Sequence, residues 1–195
     1  MQTILTYIQT NWIEIVGAIL SLIYLYLSIK QMVSLWFFGI ISSLFYIVVF
    51  FQSKLYADMS LQYYYVFISI YGWINWKKGT TENNKELQSI RINNRFIIIS
   101  VVATAVIYLI YYLVLLNFTD STIPKSDALI GALSVIGTWM LAKKFIENWL
   151  VWIVADALCI GLYIYKGLYP TAVLFAIYTI MAWVGYLQWK SLSNK

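Results

Sequence analysis

Within "NWLVWIVADALCIGLYIY" (148–165), Trp149, Trp152, Asp156, Cys159 and Tyr163 recur at spacings of 3, 4, 3 and 4. On an α-helix those spacings place all five on one stripe. The segment is apolar enough to cross a bilayer, and Asp156 sits at its middle. A carboxylate at that depth costs about 2.5–3.5 kcal/mol on insertion scales, so it should face the bundle interior or a wet cavity. No Lys or Arg occurs at mid-depth in any other apolar segment, so the sequence offers Asp156 no fixed cationic partner. One resolution is that the partner is a ligand. The carboxylate would supply the charge opposite a flat cation, and each indole face would add about 0.5–2 kcal/mol of cation–π attraction. Alternatively the carboxylate accepts hydrogen bonds from a ligand, or it is a protonated or hydrogen-bonded Asp that joins helices.

A second stripe runs through Trp36, Gly39, Ser43, Tyr46 and Phe50, with Ser43 where the first has Asp156. A pocket between the two stripes would be asymmetric, as an asymmetric ligand requires. Gln62 is the other polar group expected to reach inward, because its carboxamide both donates and accepts; a helix–helix hydrogen bond would explain it equally. Trp183, about one turn from the midplane of the last apolar segment, is a further pocket candidate. Asn75 and Gln188 lie near segment ends beside Trp76 and Trp189, where an interfacial aromatic belt accounts for the indoles.

These residues need membrane-spanning elements to position them. The chain has 195 residues, of which 62% are hydrophobic and 11% charged, against roughly 25% charged in a soluble domain. The fold class read from this is an all-α integral membrane protein. About 20 mainly apolar residues cross a bilayer core, and seven segments qualify: 11–29, 33–52, 59–76, 96–117, 127–142, 147–165 and 170–189. Pro124 and Pro170 fall just before or at helix starts, where a missing N–H does no harm. The polar stretch 77–95 reads as a solvated connector.

Charge sets the orientation. Lys30, Lys77, Lys78, Lys85, Arg91, Arg95, Lys143, Lys144, Lys190 and Lys195 fall on one side, and only Lys54, Lys125 and Lys166 on the other. The bias places the C-terminus in the cytoplasm and the N-terminus outside.

A shift of 113 residues lays "GWINWK" (72–77) over "GYLQWK" (185–190), Leu55–Tyr56 over Leu168–Tyr169 and Trp36 over Trp149. One more residue of shift brings Gly17–Ala18 onto Gly131–Ala132 and Lys30 onto Lys144. Residues 11–76 and 127–189 therefore read as two three-helix copies, joined by the connector and a linker helix within 77–117. A single linker span makes the copies parallel, an arrangement in which transporters hold substrate near the midplane between repeats.

With "ENWLVWIVADALCIGLYIYKGLY", "YADMSLQYYYVFISIYGWINW" and "AIYTIMAWVGYLQWK", this 3+1+3 chain resembles the PnuC family of bacterial vitamin transporters from about Trp12 to Lys190. The most specific part of the resemblance is the W-x-x-W-x-x-x-[N/D] pattern, here Trp149, Trp152 and Asp156. It implies a fold similar to the SWEET sugar transporters, multi-pass in the cell inner membrane. It also implies uptake of nicotinamide riboside by facilitated diffusion, with trapping by a cytoplasmic kinase; thiamine is the alternative vitamin. Each carries a flat cationic ring of the kind Asp156 and the indoles suit, and nicotinamide riboside also carries ribose hydroxyls that the carboxylate could hold.

Other classes fare less well. There is no G-x-x-x-x-G-K-[ST] loop for ATP, no histidine, and one cysteine, Cys159, so no disulfide or metal cluster is expected, and no cofactor. An enzyme would want paired acids. Glu14, Asp58, Asp120 and Asp127 fall near one surface and Glu147 near the other, far from Asp156. A receptor would not require a repeat enclosing an acid. The net charge of +5 reflects basic loops rather than a nucleic-acid partner. The expected partners are a small cationic vitamin and membrane lipid, with a homo-oligomer and proton coupling through Asp156 left open.

Overall fold

A computed structural model describes residues 16, 19–52, 56–83 and 88–193. The start of the first expected span, Glu14, the Gly17–Ala18 match, Leu55 and the side chain of Asp58 lie outside the described residues. Seven helices follow in order: α1 Ile19–Ile29, α2 Leu35–Gln52, α3 Tyr56–Asn83, α4 Asn94–Phe118, α5 Pro124–Ala142, α6 Asn148–Tyr165 and α7 Tyr169–Ser193. Three of them, α4, α6 and α7, are each long and apolar enough by themselves to cross a membrane. Their lipid-side character is plain in α4, which buries no residue and exposes Ile98, Val101, Val102, Val106, Leu109 and Leu113.

Packing follows residue size. α5 carries Ala128, Gly131, Ala132, Ser134, Gly137 and Thr138 among its buried residues, and these small side chains let α3, α4 and α6 approach it. α2 packs on α3 and α6 on α7. Pro124 opens α5, where its absent N–H has no intrahelical partner to lose. The Asn93 side chain caps α4 by accepting from the Phe96 N–H at 3.0 Å.

One bundle end is basic, and there the same arrangement occurs twice, 113 residues apart. Gln31 and Lys144 both turn at positive φ, 56° and 59°. The Met32 N–H donates to Leu27 O as the Phe145 N–H does to Met140 O, each at 3.0 Å. Trp36 meets Trp76 edge to face at 5.4 Å and 85°, and Trp149 meets Trp189 at 5.6 Å and 87°. The Trp36 ring lies against Gly72 and the Trp149 ring against Gly185. The gapless shift therefore also aligns the ends of α1 and α5: Gln31, not Lys30, stands where Lys144 does.

The third helix of each set also reaches across to the other. Trp76 Nε1 and Asn75 Nδ2 donate to Ala142 O at 3.2 and 2.9 Å, at the end of α5. Trp189 Nε1 donates to Ser28 O and Ile29 O at 3.1 and 3.2 Å, at the end of α1. Trp76 and Trp189 touch at 6.1 Å, so Trp36, Trp76, Trp189 and Trp149 form a continuous buried row of rings. Around it the ammonium of Lys144 lies over Trp76 at 4.3 Å, that of Lys143 over Tyr71 at 5.2 Å and that of Lys190 over Tyr186 at 5.7 Å, each within cation–π range of its ring.

The connector is not a solvated loop throughout. α3 runs on to Asn83, and residues 88–92 dock on the basic end. Ile90 bridges Phe145 through Ile90 N–H to Lys144 O and Ile146 N–H to Ile90 O, both 3.0 Å. The Ile92 N–H donates to Glu147 Oε2 at 2.9 Å. Ser89 is buried; its hydroxyl donates to Trp189 O at 3.3 Å and accepts from Gln31 Nε2 at 3.5 Å. The segment departs from the expectation because the two helix-end turns leave unpaired backbone groups that water would otherwise satisfy.

Candidate functional site

A cavity of about 290 Å³ lies between α1–α3 and α5–α7, lined by residues from all six helices and none from α4. That is close to the lower bound of roughly 300 Å³ for sites that hold small ligands. Its walls use matching positions. Pairs related by the 113-residue shift face it together: Gly39 and Trp152, Ser43 and Asp156, Gln62 and Phe175, Tyr65 and Tyr178, Ser69 and Ala182. Apart from Tyr65 and Tyr178, these matching positions carry different chemistry. One wall presents Ser28, Ser42, Ser43, Gln62 and Ser69; the other presents Asn148, Trp149, Trp152, Asp156 and Phe175. Both walls carry tyrosines, but the acid and the two indoles come from the second wall alone.

Trp152 takes its place through an exchange of large and small residues. In the first helix set Tyr24 of α1 lies beside Gly39 of α2, and a Cβ on Gly39 would come 3.1 Å from the Tyr24 ring. In the second the bulk is reversed: Gly137 of α5 lies beneath Trp152 of α6, a Cβ there coming 3.1 Å from Cε2. Gly137 thus makes room for the indole at the cavity wall.

Asp156 is buried, yet it forms no hydrogen bond or ion pair with any described residue. None of the residues lining the cavity is Lys or Arg. The carboxylate therefore faces a cavity that holds no protein cation. Two hydroxyls of the cavity lining are partly occupied: Ser28 Oγ donates to Tyr24 O and Thr138 Oγ1 to Ser134 O, both at 2.8 Å, leaving their lone pairs to accept.

Of the residues singled out from sequence, Trp149, Trp152, Asp156, Gln62 and Ser43 line this cavity. Trp36, Tyr163 and Trp183 do not. Trp36 is fully buried in the ring row, held on Gly72 and Trp76. Tyr163 is drawn off by stacking on Phe175 at 5.2 Å, one layer behind the wall. Trp183 is 53% exposed on the outer face of α7 against Tyr186, because Ala182 is the residue that α7 turns inward at that level.

Asn148 was missed. It is fully buried at the first turn of α6 and lines the cavity's basic end. Its Nδ2 donates to Phe145 O at 2.6 Å, while Oδ1 has no partner; neither do the indole N–H groups of Trp36 and Trp149. An unpaired buried polar group costs about 1–3 kcal/mol. The two indoles share one cause, each ring being wedged on a glycine in the same place. Asn148 has no such double. The signal was present in sequence, since the shift that lays Ser43 under Asp156 also lays Leu35 under Asn148.

A family model described as nicotinamide mononucleotide transporter matches residues 11–191. The chain is 26% identical over 203 residues to the nicotinamide riboside transporter PnuC of Escherichia coli, covering 92% of this chain and 85% of that protein. It is 24% identical over 185 residues to the riboflavin/roseoflavin transporter RibM of Streptomyces davaonensis, covering 91% and 84%. A crystal structure of the vitamin B3 transporter PnuC superposes with a TM-score of 0.77 at 24% identity, over 99% of this chain and 86% of that one. The fold is that of the PnuC transporter.

Proposed function

The chain belongs to the nicotinamide mononucleotide transporter family, that of the PnuC vitamin transporters, and we propose that it takes up nicotinamide riboside by facilitated diffusion across the inner membrane. The observation that carries this reading is the unpartnered Asp156 at a cavity between two matched helix sets, beside Trp152. A pyridinium seated there brings the missing positive charge and offers a flat face to the indole. Gln62 and the serine hydroxyls that line the opposite wall would hold the ribose hydroxyls.

The helices act as two parallel three-helix repeats, α1–α3 and α5–α7, with α4 as linker. The duplicated turns, ring pairs and cross-donated indole hydrogen bonds support this, as does the peripheral position of α4. The ring row closes the cavity at the basic end. Release on that side requires the two repeats to part there, which breaks the hydrogen bonds from Trp76 to Ala142 and from Trp189 to Ser28 and Ile29.

The basic end faces the cytoplasm, by the lysine bias. Ser89 is too buried to report on this, whereas Arg91 is exposed. A cysteine at Arg91, with Cys159 replaced by serine, should resist an impermeant thiol reagent in intact cells and react after permeabilisation. Ready labelling of intact cells would reverse the orientation.

With no ATP-binding motif, transport should run down the substrate gradient, and a cytoplasmic kinase would sustain it by keeping internal substrate low. Vesicles holding the purified protein and no kinase should therefore take up nicotinamide riboside only until inside and outside concentrations match. Accumulation well beyond that, abolished by a protonophore, would show coupling instead. Thiamine satisfies the same charge and ring, and uptake of thiamine in preference would move the substrate while keeping the site.

A further inference from the structure

The repeat supplies an internal control for Asn148. Leu35 is the matching residue of α2, equally buried at the same turn. The Leu35 N–H donates to Met32 O at 3.1 Å and the Asn148 N–H to Phe145 O at 3.2 Å, so the backbone closes that turn without help from a side chain. A leucine therefore meets the needs of the fold at this place. Asparagine adds a bond to a carbonyl already paired, and leaves a buried acceptor with none. One Nδ2 hydrogen is used on Phe145 O, so on this cavity-lining residue Oδ1 is the polar atom with no partner. It can take only a donor.

We propose that Asn148 Oδ1 is the acceptor for the carboxamide N–H of the transported molecule, and that it selects a primary amide carried on a flat cationic ring. This rests on the nicotinamide riboside reading and names the contact for one end of that ligand. Asp156 lies eight residues further along α6, about 12 Å at 1.5 Å per residue. Between them, one turn from each, stands Trp152. A ring beside Trp152 would then have its amide at Asn148 and its ring nitrogen and ribose towards Asp156. Ser43 and Asp156 make the repeats differ at one end of the cavity; Leu35 and Asn148 make them differ at the other. Both departures put a polar group on α6, which gives the site its direction.

The test compares nicotinamide riboside with the riboside of 3-acetylpyridine, which keeps the cation and the carbonyl but has a methyl group in place of the amide nitrogen. By titration calorimetry on the purified full chain, the native protein should favour nicotinamide riboside by about 10-fold, the worth of one buried hydrogen bond. Asn148→Leu should bind nicotinamide riboside about 10-fold more weakly, bring the ratio between the two ligands close to one, and melt no lower than the native protein. Equal binding of both ligands by the native protein would overturn the proposal, and needs no variant to be folded. So would an unchanged ratio in a folded Asn148→Leu. A native protein that binds neither riboside would bring down the substrate reading and this contact together. One that binds both equally would bring down the contact alone.

Discussion

Asp156→Asn is expected to weaken binding of nicotinamide riboside by roughly 10- to 150-fold, the loss of one charge-assisted contact worth about 1.5–3 kcal/mol. The substitution keeps the shape of the side chain and most of its hydrogen-bonding capacity, so what it removes is charge. The effect is expected to be large because the carboxylate is buried, has no partner among the described residues, and faces a cavity lined by no Lys or Arg. No other anion lines the cavity to take its place. Titration calorimetry of the purified protein measures it. Trp152→Ala should also weaken binding by removing the face the ring rests on, and Trp152→Phe should retain part of it. A neutral-ring analogue with the same sugar should be rejected by the native protein and rejected less by Asp156→Asn. If a folded Asp156→Asn binds the cation as well as the native protein does, the carboxylate serves as structure or as a neutral acceptor, and charge pairing is the wrong account.

Gly72→Ala and Gly185→Ala are each expected to destabilise the protein by about 1–3 kcal/mol or more, through overpacking. A Cβ on Gly185 would stand 2.6 Å from the Trp149 ring, and one on Gly72 would overlap Trp36. Neither ring can retreat cheaply. Both are essentially fully buried and pinned edge to face by Trp189 and Trp76, whose own N–H groups are tied to the ends of α1 and α5. Gly161→Ala is the control: it lies in α6 with nothing within 4 Å of its would-be Cβ, so it should be neutral or slightly stabilising. Thermal unfolding in detergent reads all three. Equal melting temperatures for Gly185→Ala and Gly161→Ala would mean that the row of rings yields freely and is not the rigid closure described.

Membrane class, the helices and the stripe of α6 follow from residue type and spacing alone. Apolar length against bilayer thickness settles the first two, and a period of 3.6 residues puts Trp149, Trp152 and Asp156 on one side of a helix whatever surrounds it. The cost of a carboxylate in hydrocarbon likewise sends Asp156 inward without reference to its neighbours. The 113-residue shift that lays Trp36 and Gly72 over Trp149 and Gly185 was legible too, because a buried ring packed on a glycine tolerates few residue types at either place, whereas the residues of the turn before each Trp differ.

Which stripe residues actually meet the cavity was decided by tertiary packing. Trp36 and Trp149 hold equivalent positions, yet only Trp149 reaches the cavity wall. Tyr163 shares a stripe with Asp156 but finds Phe175 nearer, and Trp183 turns outward because Ala182 is the smaller neighbour where α7 closes on the bundle. A helical period gives the direction of a side chain and not what stands opposite it. Trp152 owes its place to Gly137, fifteen residues earlier on another helix. The connector was misjudged for the same reason: its polar residues read as solvated, but Ser89 and Ile90 pair with helix-end groups that are distant in sequence and adjacent in space. The 113-residue shift sets Asn148 against Leu35, but the unpaired state of its Oδ1 exists only relative to its surroundings and needed the packed structure.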